Sequence, residues 1–170
     1  GEELILDWQR APDPWRELDF SPGEWRVTDS GCQGAVRSGW GRYVLSEPVT
    51  DNFILTARLT METGVAAGIV FRHSDAEQSA AVVLDFQAQE ILYTELPVFV
   101  PIEARKVQLE HGNEFLMRVV AKGEFIEVYL DEVLILHVLR YGLTTGRVGF
   151  LVDRGKSRFH DIHIHPLRMK

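Results

Sequence analysis

Apolar and polar side chains alternate with a period of two along segment after segment of this chain, and no window carries a helical apolar stripe through three turns. The alternating runs are rich in Val, Ile, Leu, Phe and Tyr, the composition of strands that bury one face. They predict strands at 4–8, 25–28, 32–37, 42–46, 53–62, 66–73, 80–87, 90–96, 105–109, 114–121, 125–130, 133–139, 146–152 and 158–165. Fourteen short strands and no helix describe an all-β domain, a two-sheet antiparallel β-sandwich.

Short connections support antiparallel pairing. Lys122-Gly123 and Asp131-Glu132 each join two alternating runs at two-residue hairpin spacing. Asp131-Glu132 stands where Asn-Gly or Asp-Gly is usual, which predicts a different turn type. The stretch 9–23 holds three prolines and many charges and reads as an ordered loop wrapping the sandwich, with Trp8, Trp15 and Trp25 packing it onto the core. The whole chain, 1–170, is expected to be one domain: an N-terminal wrap over 1–23 and a sandwich over 24–165.

Strand parity sorts side chains by face, since residues two apart point the same way. Phe53, Leu55, Ala57 and Leu59 fall on a core face, as do Val65, Ala67, Ile69 and Phe71, and Val82, Leu84 and Phe86. Gly68, Val70 and Arg72 then share the opposite face with Val83, Asp85 and Gln87, and a hairpin between 66–73 and 80–87 would bring Arg72 toward Asp85.

Composition narrows the partners. Eighteen Lys plus Arg against 25 Asp plus Glu leave a formal charge of −7, the wrong sign for nucleic acid. No apolar run approaches the ~20 residues of a membrane-spanning helix. The chain opens with Gly rather than Met, which suggests an excised module or a processed secreted product. The single cysteine, Cys32, cannot form an internal disulfide and is expected to be a small packed residue rather than a nucleophile.

An ordered set of motifs then becomes informative: Gly-Val-Ala-Ala-Gly-Ile-Val-Phe-Arg at 64–72, Val-Leu-Asp-Phe at 83–86, Phe-Ile-Glu-Val-Tyr-Leu-Asp-Glu-Val-Leu-Ile at 125–135, Gly-Arg-Val-Gly-Phe at 146–150 and Phe-His-Asp-Ile-His-Ile at 159–164. Over about residues 24–165 this set resembles the concanavalin A-like jelly-roll domains. Among them it looks most like the non-catalytic modules attached to exo-acting levanases and related β-fructosidases. The resemblance implies an extracellular, bacterial carbohydrate-binding module that recognises the terminal fructose of levan or a related fructan and is tethered to a glycoside hydrolase. It also implies an arginine and an acidic residue in the sugar pocket, carried here onto Arg72 and Asp85.

That pairing suits a sugar, because a carboxylate beside a guanidinium grips adjacent hydroxyls with opposite hydrogen-bond polarity. Trp40, Tyr43 and Tyr93 are the candidate aromatic walls, and Gln87, Asp153 and Arg154 further polar candidates. A surface ion pair, a charged turn and ordinary strand packing are the competing explanations of these residues.

Asp161, His163 and His165 share one strand face, but three ligands at that spacing spread over about 13 Å and cannot meet one ion without help from another strand. No cofactor is expected. A structural calcium would suit the jelly-roll class, although nothing here resembles a calcium loop. Neither the paired-glutamate strand motif of jelly-roll glucanases nor a nucleophile elbow is found. The alternatives are a structural β-sandwich of a glycoside hydrolase that binds no sugar, and a jelly-roll glycosidase.

Overall fold

The computed structural model describes residues 4–5, 15–18, 23–27, 31–45, 51–143 and 146–167. These form twelve strands: β1 Leu4–Ile5, β2 Trp15–Leu18, β3 Gly23–Val27, β4 Gly31–Leu45, β5 Phe53–His73, β6 Ser79–Asp85, β7 Glu90–Leu96, β8 Val100–Lys106, β9 Glu114–Lys122, β10 Phe125–Leu130, β11 Val133–Leu139 and β12 Arg147–Pro166. All pairings are antiparallel.

β4, β5 and β12 are long because each belongs to both layers of the sandwich. Residues 53–60 of β5 pair with β9, whereas residues 66–71 pair with β6. β12 lies between β5 and β4 over residues 149–160, and beyond that pairs with β1 in place of β4. One layer therefore runs β11-β10-β9-β5-β12 with β4 and β3 beyond, and the other runs β8-β7-β6-β5-β12-β4-β2. Between them lies a continuous core that includes Phe53, Leu55, Leu59, Ile69, Phe71, Leu84, Met117 and Val128. The core faces expected for 53–59, 67–71 and 82–86 are those observed, but Val65, expected on the same face as Ala67, is half-buried against the outer cluster that contains Ala66 and Val70.

Where breaks are expected at residues 38–41, 63–65 and 153–157, the chain bends without leaving the ladder. Gly64 (φ +110°) pairs with Gly155, and a Cβ on Gly64 would sit 2.3 Å from the Gly155 Cα, so only two glycines allow β5 and β12 to cross so closely. β8 starts five residues earlier than the alternation suggests. The stretch 9–23 is not only a loop, since Trp15–Leu18 pairs with β4. Trp8 and the remainder of the N-terminal wrap lie outside the described residues.

The Asp131-Glu132 turn is also not of a different type. Both residues have positive φ, +49° and +70°, between the paired Leu130 and Val133, which is the primed hairpin turn that Asn-Gly would adopt. Asp131 compensates by accepting the Leu116 backbone N–H on Oδ1 at 2.8 Å.

Candidate functional site

The β6-β7 layer has an outer face with its own apolar cluster, formed by Ala66, Val70, Ala81, Val83, Leu92, Leu96 and Leu151. Phe99, in the turn after β7, meets Trp40 of β4 edge-to-face at 5.4 Å, and both rings pack on this cluster. Arg42, fully buried, places its guanidinium 5.4 Å from the Trp40 ring centre and donates to Ser79 Oγ (2.7 Å) and the Glu77 carbonyl (3.0 Å). Trp40 is thereby held between an aromatic edge and a cation.

Beside this closed apolar patch the sheet register lines up a polar row. Asp85 pairs with Ala66, Ala66 with Asp153, and Asp153 with Trp40. At ordinary strand spacing the Cα atoms of the two aspartates stand about 10 Å apart, with the Ala66 methyl as floor between them. On the other side of Asp85, the row continues through Glu90 to Lys106, which are joined at 3.2 Å.

Asp85 Oδ1 accepts the backbone N–H groups of Gln87 (3.0 Å) and Ala88 (2.8 Å), and Oδ2 has no donor among the described residues. Arg154 sits at a bulge between Asp153 and Gly155 with φ +44° and makes a two-pronged contact with Asp153, Nε to Oδ1 at 2.9 Å and Nη2 to Oδ2 at 3.3 Å. The hydrogen bond and charge of Asp153, with a smaller contribution from Asp85, hold the Arg154 guanidinium above its ordinary pKa. The bulge turns this exposed cation over the row, and its remaining N–H groups stay open to a ligand. Gln87 is exposed in the turn beside it.

Five expected residues, Trp40, Asp85, Gln87, Asp153 and Arg154, thus come together. Three do not. Arg72 is 1% exposed and lies at the opposite end of the β5-β6 hairpin, about 20 Å along the strands from Asp85. Its positive φ of +51° breaks the alternation at the strand end, so it leaves the outer face on which parity alone would put it. There its guanidinium donates to the carbonyls of Gly123 (2.7 Å), Leu143 (3.1 Å) and Asp51 (3.1 Å), tying three connecting segments together. Tyr93 is a core residue whose hydroxyl donates to Glu95, which in turn receives two hydrogen bonds from Arg140. Burial, and after it the Glu95 charge, push its phenol pKa up. Tyr43 is buried under Trp25, the rings stacked at 5.1 Å and 7°.

Glu90, Lys106 and His111 are the residues that sequence reasoning missed. Glu90 was accessible from the hairpin register, since it pairs with Asp85 across a four-residue turn. Lys106 lies inside the strand expected at 105–109, but its pairing with Glu90 follows only from the observed β7-β8 register, in which β8 runs from Val100 to Lys106. His111, exposed, bonds the Gly64 carbonyl at 2.8 Å and stacks on Phe86 at 4.9 Å, and no local pattern signals that.

Asp161, His163 and His165 line one shallow groove with Thr56, Arg58 and Arg118, and no metal-binding group of three or more side chains forms among the described residues. Cys32 is buried, and desolvation pushes its thiol pKa up, away from the thiolate a nucleophile needs.

No protein-family model matches the chain, and no curated protein does. Solved structures do. The carbohydrate binding module CBM66 from Bacillus subtilis superposes with a TM-score of 0.79 at 19% identity, covering 89% of this chain and 96% of that one. The fold is a jelly-roll β-sandwich. A protein of unknown function with galectin-like fold from Bacillus subtilis matches with a TM-score of 0.73 at 13% identity over 89% of this chain and 88% of that one. A putative glycosyl hydrolase from Parabacteroides distasonis matches with a TM-score of 0.64 at 14% identity over 91% and 89%. At these identities the likeness establishes the architecture, and function has to be argued from the site.

Proposed function

We propose that this chain is a non-catalytic carbohydrate-binding module whose site is the row Asp85, Ala66, Asp153 and Arg154, walled by Trp40. The observation that carries this reading is the pairing of both aspartates with one alanine, which sets two carboxylates and a guanidinium around a small, smooth floor. Carboxylate oxygens accept from sugar hydroxyls while guanidinium N–H groups donate to them, so the row matches both polarities of a hydroxyl-rich ring. Likeness in fold to a carbohydrate binding module supports the same class.

The finer reading is the non-reducing fructose end of levan or a related fructan. A five-membered ring offers little flat apolar surface, which suits a site dominated by polar grips with one half-buried tryptophan at its side. The module would act outside a bacterial cell, tethered to a glycoside hydrolase, and raise the local concentration of chain ends; its gain is avidity.

Isothermal titration calorimetry against levan, inulin, laminarin and free fructose, with released sugar assayed on the same samples, tests this. Saturable heat with levan or inulin and no hydrolysis is the expected result. Heat only with laminarin would leave a carbohydrate-binding module but reject the fructan assignment. Silence with every glycan would reject sugar binding in favour of a structural sandwich, and released sugar would make the chain a glycosidase.

A further inference from the structure

Arg118 of β9 is the one half-buried arginine, among the described residues, from which no carboxylate, carbonyl or hydroxyl accepts a hydrogen bond. The buried and half-buried Arg42, Arg58, Arg72, Arg140 and Arg147 each have an acceptor. This guanidinium has none in a chain where 25 acidic residues outnumber 18 basic ones. It is nevertheless held in place: its carbon lies 4.7 Å from the centre of the Tyr129 ring, and Tyr129 is its direct partner across β9 and β10. A planar cation stacked on an aromatic face keeps its N–H fork open.

Register extends the row. Arg118 pairs with Thr56 of β5, and Thr56 with His163 of β12, so the three stand abreast over about 10 Å on the outer face of the β11-β10-β9-β5-β12 layer. All three line a shallow groove of about 470 Å³. The Thr56 hydroxyl likewise makes no hydrogen bond among the described residues. At one end of the groove the charges close on themselves: Arg58 meets Glu114 at 3.1 Å and Asp161 at 3.4 Å, and His160 reaches Glu114 at 2.8 Å. Glu132, in the exposed β10-β11 turn, also lines the groove.

We infer that this groove is a second glycan site, on the side of the sandwich opposite the Asp85 and Asp153 row, and that it takes an acidic sugar whose carboxylate docks on Arg118. The inference does not rest on the fructan reading. A guanidinium fork and a carboxylate match in two parallel hydrogen bonds. One open cation suits one negative charge, whereas the double charge of a phosphate would meet Asp161 and Glu132 in the same groove. Thr56, His163 and Asp161 offer the donors and acceptors that ring hydroxyls need. A hexuronate carries both features on one ring, a carboxylate and several hydroxyls.

Nuclear magnetic resonance titrations with glucuronate, galacturonate, glucose, galactose and acetate test this, read at the Arg118 Nε–H and the Thr56 and His163 backbone amides. Either uronate should shift these signals to saturation, with the neutral sugars and acetate bound about tenfold more weakly or worse. Arg118→Met should weaken the uronate by about tenfold or more, and Arg118→Lys, which keeps the charge without the fork, by less. Heat with levan should be the same in Arg118→Met and the wild type, so the two readings fail separately. No shift with either uronate, glucose bound as tightly as glucuronate, acetate bound as tightly as both uronates, or a uronate held as tightly by Arg118→Met would each overturn the assignment.

Discussion

Asp85 and Asp153 are both direct antiparallel partners of Ala66, one from β6 and one from β12, so two carboxylates flank a single methyl group from opposite sides. Nothing bulkier could stand at 66 without filling the space between them. The relation is imposed by register alone, and it holds although the two aspartates are 68 positions apart in sequence.

Substitutions in this row should separate binding from folding. Asp85→Asn keeps an oxygen to accept the Gln87 and Ala88 N–H groups but removes the charge, so glycan affinity should fall by tenfold or more, a loss of about 1.4 kcal/mol or greater, with little change in melting temperature. Arg154→Ala should weaken binding similarly. Ala66→Leu should abolish it by occupying the floor. Titration calorimetry and thermal melts on the same preparations check all three, and wild-type affinity in Asp85→Asn would remove that carboxylate from the site.

Arg72 should behave in the opposite way. Arg72→Met leaves the carbonyls of Asp51, Gly123 and Leu143 without their donor, and a loss of about 3 kcal/mol or more is expected in urea unfolding. Any binding retained by the folded fraction should have wild-type affinity. A stable Arg72→Met that no longer binds would restore this arginine to the sugar site.

Much of the fold was legible because alternation marks strands and faces reliably where strands are regular: every core position expected in 53–59 and 82–86 is buried. The sequence signal failed where strand register or a backbone angle intervenes. The hairpin register pairs Asp85 with Ala66 and leaves Arg72 at the turn end, where its positive φ also takes it off the outer face, and the glycine pair at 64 and 155 read as a break when it is a crossing. Asp85, Asp153, Arg154 and Trp40 were each picked out separately, but their convergence depends on pairings between distant strands that no local pattern contains.

Glu132 occupies a left-handed conformation, φ +70°, at an exposed turn where glycine has no steric cost. Glu132→Gly should therefore stabilise the protein by about 0.5–1 kcal/mol, read as a higher urea midpoint at unchanged m-value. A lower midpoint would mean that the Glu132 side chain makes a contribution larger than the strain.

Gly34 is opposite Trp25, and a Cβ there would come within 2.3 Å of the indole. Gly34→Ala should lift Trp25 from Tyr43, visible as altered near-ultraviolet circular dichroism with a destabilisation of about 1–3 kcal/mol. An unchanged spectrum would show that β3 can shift to absorb the methyl group.

Burial raises the pKa of both Cys32 and Tyr93, so the folded state keeps protons that the unfolded chain releases. Such groups stabilise fully below their unfolded pKa values and lose that contribution as pH rises. Stability should hold through neutrality and fall above about pH 8.5, where an unfolded thiol ionises, with a slope approaching about 1.4 kcal/mol per pH unit until the phenol adds to it near pH 10. In Cys32→Ala the onset should move to the higher pH. The same onset in both proteins would assign the alkaline loss to another group.

β12, the last strand of the sandwich, lies between β4 and β5 in both layers. During synthesis β4 and β5 emerge with no strand to join them, and the centre of each sheet stays open until the polypeptide has been made as far as Pro166. Joining β4 and its partners to β5 is therefore a late event that waits on pairings of large sequence separation, such as Cys32 with Phe159. A ribosome stalled before residue 147 would carry β5 to β11 able to pair with one another, but β4 with no strand to join it to them.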